Sequence, residues 1–363
     1  MFKIPKYIEP DFTKDIFVNA PDAVLMEAPV DKAAPKNFHA TSIYPEYFKI
    51  NGKWILAEES RMDWLPVYEN GKIAVKEFRN LKKGDLVVVG RTENCEEGIY
   101  VHDQCFEKDE EAKAGTFAFR QSRSRETGFS NDYKQLVELL KYEKENGGYV
   151  VWVLGPACSF DAKARENMAK LIENGFVNAL LAGNALATHD LEGGYKGTAL
   201  GTDIYTQRPH VDGHYNHIDT INAINTYGSI KKFIEEENID SGIISACVRN
   251  NIPFVLNGSI RDDGPLPEVL EHTYIGQDNI RSHVRKATTV IGMATVLHTI
   301  ATGNMTPMFR VVEDGTIRPL YFYMVDTSEF AANKLGDRGS LSARGIVTNV
   351  QDFLMNLTKG LDI

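Results

Sequence analysis

Residues 256–269 read LNGSIRDDGPLPEV and follow directly on the apolar run IPFVL. A surface turn needs only the glycines and prolines. Arg261, Asp262 and Asp263 are surplus to a turn, and their types can do chemistry. A guanidinium holds a carboxylate or phosphate through two parallel hydrogen bonds. A carboxylate holds an amine or a ribose hydroxyl, or moves a proton. On extended backbone neighbouring side chains point apart. One of Asp262 and Asp263 could therefore face a ligand while the other caps a helix starting near Pro265.

Four more segments of this kind follow apolar runs or adjoin one. Gly155, Pro156 and Ala157 follow YVVWVL, and Gly183, Asn184 and Ala185 follow VNALLA and lead to His189 and Asp190. His298 and Thr299 follow GMATVL, with Gly303, Asn304 and Met305 just beyond. Asp337 and Arg338 sit in KLGDRGS before the last apolar run. In open α/β sheets ligands bind outside the carboxyl ends of the strands. Glycine there lets a phosphate or sugar approach the backbone, and free amides at the next helix favour anions. These residues, with Gly258, Ser259, Ile260 and Asp262, are the expected contacts of a nucleotide-sized ligand. No GxGxxG occurs, so the standard dinucleotide fingerprint is absent.

Several residues carry two readings. Asp190 either caps beside a solvated His189, or orients it, or contacts a substrate amine. His214 and His217 in DGHYNH are too weak a pair to read as metal ligands, and no metal is expected. Cys247 in ISACVRNN reads as a buried structural cysteine. Lys53, Arg61 and Asp63 could line an interdomain cleft.

The elements that must position these groups fall into two regions. Residues 1–35 read as an N-terminal arm. Residues 36–130 read as a small β-rich barrel or sandwich, with hairpins across Asn51-Gly52 and Asn70-Gly71. From 131 to 363 strands alternate with helices. That alternation predicts an α/β fold: a Rossmann-like parallel sheet with helices on both faces. The 363 residues are 43% hydrophobic, enough for a sizeable core. A formal charge of -10 without any basic block disfavours a nucleic-acid backbone or an anionic membrane. No signal peptide or membrane-length apolar run appears, and the four cysteines lack CxxC spacing. A reduced, cytoplasmic protein acting on a small molecule is the expectation.

From about 35 to 356 the chain resembles the LOR/SDH-type ornithine cyclodeaminases of archaea and cyanobacteria. The resemblance rests on GGYVVWVLGPA, LIENGFVNALLAGNALATHDLE, GTALGTD, INAINTYGSIKKFIE, NNIPFVLNGSIRDDGPLPEV, ATVLHTIATGNM and KLGDRGSLSARGIVTNV. Upstream, APKNFHATSIYPEYFKINGKWILAEESRMD and LKKGDLVVVG are similar too. Three departures stand out. The further small N-terminal α/β domain usual in the family is not seen, RQSRSRETG replaces a Ser-Glu-Arg-Pro type of segment, and Asn349 stands where Asp is usual.

The resemblance implies a domain related to deoxyhypusine synthase, bound NAD, a homo-oligomer, and conversion of L-ornithine to L-proline and ammonia. The implied chemistry is internal redox: hydride leaves the amino-acid Cα, the distal amine closes on the imine, ammonia departs and the hydride returns. Such a site needs an arginine for the carboxylate, acids for the distal amine and a general base. The candidates are Arg261 for the anionic group, Asp190 or Asp263 for the amine, and His189 and Lys53 behind them. The competing expectations are an NAD-dependent dehydrogenase, a cyclodeaminase of another amino acid, and a non-catalytic NAD-binding regulator.

Overall fold

In the computed structural model, which describes residues 2–107, 129–260, 262, 264–328, 330 and 343–363, seven strands build the N-terminal region. They are β1 (Val24–Glu27), β2 (Glu46–Ile50), β3 (Lys53–Leu56), β4 (Leu65–Glu69), β5 (Lys72–Lys76), β6 (Leu86–Val89) and β7 (Ile99–Val101). Two antiparallel sheets, ordered β1-β6-β4-β5 and β3-β2-β7, enclose a core of Phe48, Ile50, Ile73, Val75, Val88 and Ile99. Both predicted hairpins form. Asn51 and Gly52 have φ of 50° and 75°, and Asn70 and Gly71 have 51° and 80°. A two-residue hairpin needs positive φ at both central positions, and Asn-Gly adopts it at least strain.

Residues 1–35 are not a separate arm. β1 pairs along its whole length with β6. The short helix α1 (Asp15–Val18) is tied down by Lys49, whose Nζ donates to the carbonyls of Phe17, Val18 and Ala20 at 2.7–3.0 Å. Phe2 packs on Tyr142 and Tyr321 of the larger domain. These contacts join segments far apart in sequence, and no local periodicity announces them.

The larger domain is the expected parallel sheet. Its strands are β8 (Val150–Leu154), β9 (Ala179–Gly183), β12 (Phe254–Asn257), β13 (Val269–Leu270), β14 (Thr289–Met293), β17 (Tyr321–Asp326) and β18 (Ala343–Val347). Two small hairpins stand apart from it, β10 (Thr198–Ala199) with β11 (Thr202–Asp203) and β15 (Phe309–Val311) with β16 (Ile317–Pro319). The order is β13-β12-β9-β8-β14-β17-β18 and every pairing is parallel. Without the edge strand β13, numbering by position in the chain gives 3-2-1-4-5-6, the doubly wound dinucleotide-binding order. Alternate residues bury opposite faces. Val150, Trp152 and Leu154 join one core, Val151 and Val153 the other. The first core takes in α2 (Phe129–Glu145), α3 (Ala162–Glu173), α4 (Asn184–Lys196), α5 (Asn216–Tyr227), α6 (Ile230–Glu236), α7 (Ile243–Arg249) and α10 (Val350–Leu361). The second takes in α8 (Thr273–Val284) and α9 (Val296–Met305).

The structure moves several expected boundaries. HIDTINAINTYGSIKKFIEEENI is two helices, because Gly228 at φ 68° ends α5 in a left-handed cap. Pro265 and Pro267 start no helix; they lead into β13, and α8 begins at Thr273. The strand in TTVIGMATVL stops at Met293, and helix α9 then runs to Met305. Asn349 caps α10 by accepting from the Asp352 amide at 2.8 Å, the same bond an aspartate would make there. Among the described residues no helix is long and apolar enough to cross a membrane.

Candidate active site

The strand order reverses between β8 and β14, and the crevice for a ligand should open beyond their carboxyl ends. The two ends are drawn together, with the Gly155 amide donating to the Met293 carbonyl at 2.8 Å. A Cβ on Gly155 would lie 1.9 Å from the Ala294 carbonyl oxygen, so only glycine fits this close approach. Beside it, above β8, β9 and β12, lies a cleft of about 360 Å³. Pro156, Ala185, His189, Ser259 and Asp262 line it, as does Asn184. Chain segments 28 to about 100 residues apart in sequence thus meet where the sequence reading placed a ligand.

The GNALATHD segment is not a loop. It is the first two turns of α4, which starts at Asn184 directly after β9. Its N-cap, Gly183, offers no side-chain cap, and the Pro156–Ser159 turn and α9 also begin without one. First-turn amides at the carboxyl ends of three adjacent strands are therefore left without capping side chains, an arrangement that favours anions. Asn184 clamps the loop after β12, donating to the Gly264 carbonyl at 3.1 Å and accepting from the Leu266 amide at 3.2 Å. Within that loop the Asp262 carboxylate turns back on Ser259, accepting from its amide at 2.7 Å and its hydroxyl at 3.0 Å.

Helical periodicity decides the partners of His189. Its Nδ1 lies 3.0 Å from Glu192 Oε2, one turn on. Glu192 is fully buried, and its carboxylate also accepts from Thr198 Oγ1 at 2.7 Å and from the amides of Leu200 and Gly201 at 3.1 and 3.2 Å. With Nδ1 engaged, Nε2 is the ring nitrogen left for the cleft. His217 stands beside it, ring centroids 6.0 Å apart, with a buried Nδ1 that has no partner among the described residues. Thr188 Oγ1 on the same wall is likewise buried and unpartnered. Phe160, Leu200 and Ile221 supply apolar walls.

Asp190 faces the other way. It is 1% exposed, ion-pairs with buried Arg165 at 2.8 Å and accepts from the Ile243 and Ile244 amides that open α7. Both oxygens are taken, so the structure makes Asp190 an internal brace and Glu192 the orienter of His189. Consecutive helical residues diverge by a third of a turn, and that separates Asp190 from its neighbour. Gly303, Asn304 and Met305 are also displaced. They end α9, about 10–14 Å from its start at 1.5 Å per residue. There the Asn304 carbonyl accepts from Arg61 Nε and Met305 enters the second core.

Thr299 is wholly buried against Gly292 rather than open to the cleft. Ala157 packs on the main core, and Ile260 projects fully into solvent. Lys53 lies exposed at the β2–β3 turn, not in the cleft. His298 is close by: a Cβ on Gly183 would meet its Cε1 at 2.9 Å. Burial holds the His298 pKa below the usual imidazole value, and the Asp262 charge opposes this. Arg261, Asp263, Asp337 and Arg338, like the RQSRSRETG segment, lie outside the described residues. All four cysteines are free and buried; burial pushes the Cys158 thiol up to about 12 and Cys247 higher still, so neither is poised as a nucleophile.

The sequence reading did not single out Glu192, Thr188 or Phe160. Glu192 was legible as the i+3 partner of His189, once the segment was recognised as helix. Phe160 and Leu200 carry no such signal.

Fold and cleft together define a doubly wound α/β protein with a ligand site at the carboxyl edge of its sheet. The Rossmann-fold model of the arginine dihydrolase ArgZ-like C-terminal family matches residues 134–357, and the model of that family's first region matches 45–127. The chain belongs to this ArgZ-like family, in which it groups with LOR/SDH-type proteins. It is 37% identical over 360 residues to the ornithine cyclodeaminase of Methanococcus maripaludis, covering 96% of this chain and 82% of the relative. The crystal structure of a conserved LOR/SDH protein from Methanococcus maripaludis S2 superposes with a TM-score of 0.84 at 37% identity, covering 94% of this chain and 98% of that one. AgrE, the bifunctional arginine dihydrolase/ornithine cyclodeaminase of Nostoc sp., is 37% identical, with 94% of this chain matching 47% of AgrE. Its ternary complex with ornithine and NAD+ aligns at a TM-score of 0.58 and 34% identity, over 95% of this chain and 46% of that one.

Proposed function

We propose that this protein is an NAD-dependent ornithine cyclodeaminase, converting L-ornithine to L-proline and ammonia. The observation that carries the reading is the His189–Glu192 pair facing a cleft at the carboxyl edge of the doubly wound sheet. The named relatives support the substrate and the cofactor.

The lining fits a dinucleotide. Among the described residues, three helical starts lack capping side chains, and two buried polar atoms, Thr188 Oγ1 and His217 Nδ1, lack partners. When bound, NAD+ supplies a reversible acceptor for the hydride on the amino-acid Cα. Gly155, Pro156, Gly183, Ala185, Ser259 and the start of α9 would hold it.

The chain's own residues handle protons and orientation. His189 Nε2 takes a proton from the distal ammonium, which frees a lone pair for ring closure, and returns one to the departing ammonia. Glu192 steadies the imidazolium that forms in between. Thr188 and His217 offer polar contacts to the substrate's charged ends, and Phe160, Leu200 and Ile221 pack its methylenes and exclude water. Asp262 places negative charge at the same wall. Arg261 for the carboxylate and Asp263 for an amine complete the proposal. Ornithine has the composition of proline plus ammonia, so no net oxidant is consumed.

The test is to supply L-ornithine and NAD+ and measure proline, ammonia and absorbance of the reduced nicotinamide. Equimolar proline and ammonia without accumulating NADH is the expected result. NADH rising in step with turnover would make the protein a dehydrogenase instead, and bound NAD+ without turnover a regulator.

A further inference from the structure

A second cavity, of about 150 Å³, lies between the two domains. The small domain contributes Glu58, Glu59 and Ser60; α8 contributes Arg281 and, at its C-cap, Arg285; Arg310 of β15 closes it. It lies near Met305, where α9 ends, and none of its lining is shared with the catalytic cleft.

Its charges do not balance. Arg281 is 7% exposed, yet its Nε and Nη1 are buried without a hydrogen-bond partner among the described residues. Its guanidinium lies 3.6 Å from the ring centre of Trp64, which Arg61 also approaches, at 4.1 Å. Glu59 is shared: it lies 3.4 Å from Arg281 Nη2 and 3.0 Å from Arg285 Nε. Glu58 is engaged with Lys72. Glu77 bonds to Arg61 and Arg79 and acts on Arg281 through its charge. Arg310 donates to the Lys286 carbonyl, which carries no charge. Three guanidiniums thus face two carboxylates around a small void, and one of those, Glu58, is already paired with Lys72.

A guanidinium has five N–H donors, and burying a charge with most of them unmet is costly. Arg281 shows the effect directly: burial first, then the neighbouring Arg285 charge, lower its pKa to about 10. Burial and the Arg318 charge act on Arg310 in the same direction. An oxyanion in the cavity would supply the negative charge that its two carboxylates, one of them already paired with Lys72, leave short.

We infer that this interdomain cavity is a binding site for a small oxyanion, seated on Arg281, Arg285 and Arg310. Inorganic phosphate and a simple carboxylate share the chemistry that these guanidiniums recognise. The bound anion would bridge α8 and the β15–β16 hairpin to Ser60, and so tie the small domain to the catalytic one.

The test titrates the full-length protein, saturated with NAD+ so that anion contacts in the catalytic cleft are taken, with phosphate and separately with acetate at low ionic strength. Saturable binding of one anion per chain and a rise in Tm with anion concentration are expected. Whichever anion binds identifies the source. Arg285→Gln, at a half-exposed side chain, should weaken binding about tenfold, as loss of one charged hydrogen bond does. Arg281→Met, which keeps the packing on Trp64, should abolish binding. No saturable binding of either anion, or Arg285→Gln binding as well as the parent, overturns the inference. The second criterion holds even if Arg281→Met does not fold.

Discussion

Replacing Glu192 by glutamine isolates the role of its charge. The side chain keeps its size, but one acceptor oxygen becomes a donor. Four donors converge on the carboxylate: His189 Nδ1, Thr198 Oγ1 and the amides of Leu200 and Gly201. If the amide group takes the Oε1 position, the Thr198 hydroxyl can rotate to accept, but the Gly201 amide loses its partner. If it takes the Oε2 position, the Leu200 amide is orphaned and His189 must change tautomer. Either way one buried donor is left unmet, at about 1–3 kcal/mol of folding stability.

The catalytic loss is separate. Two unit charges about 4 Å apart at an effective dielectric of about 20 interact by about 4 kcal/mol. A neutral amide oxygen retains part of that as a dipole, so about 2–3 kcal/mol of support for the charged imidazole disappears. At about 1.4 kcal/mol per decade, kcat/KM should fall by roughly 30- to 150-fold, at or below the lower end of full general-base effects of about 100- to 10,000-fold, as fits loss of the orienting charge alone. Proline formation from L-ornithine, measured well below the variant's Tm, reads this directly. The loss should appear in kcat more than in KM, because the carboxylate touches His189 and not the substrate. A variant within about threefold of the parent would refute the assignment of His189, oriented by Glu192, as the proton-transfer group.

Asp190→Asn should act on folding instead, costing about 3–5 kcal/mol in urea unfolding by leaving Arg165 charged and buried without its partner; the fraction that folds should turn over near the parental rate. His298 gives an acid-side signature. Its folded pKa lies below the unfolded value, so its contribution to stability is complete above the unfolded pKa and is lost as pH falls through the folded one. Tm of the parent should therefore drop more steeply than that of His298→Gln on acidification below about pH 6.5, the ordinary imidazole value; parallel curves would remove His298 as the cause.

Much of the architecture was readable along the chain. Apolar runs marked β8, β9, β12 and β14, the first three bounded by glycine, because a strand covered on both faces must be apolar throughout. Asn-Gly marked both hairpins, because few other dipeptides accept two consecutive positive φ values. The ligand edge was legible too: Pro156, Asn184, Ala185, His189, Ser259 and Asp262 do share one cleft. These are local properties, set by the residue types and their immediate neighbours.

What the tertiary structure decided is which atoms face one another there. Asp190 and Glu192 are both acidic, both buried and both near His189 in sequence, yet the pitch of α4 sends one to Arg165 and the other to the imidazole. Gly303 to Met305 looked like a loop beyond a strand, but the strand ends early and α9 carries them to the domain interface. The cavity around Arg281 gathers Glu59 and Arg281 from positions 222 residues apart. Composition and period specify elements, because backbone preference and burial act over a few residues. Partnership between charged groups depends on helix phase and on how domains dock, and both emerge only when the chain is packed.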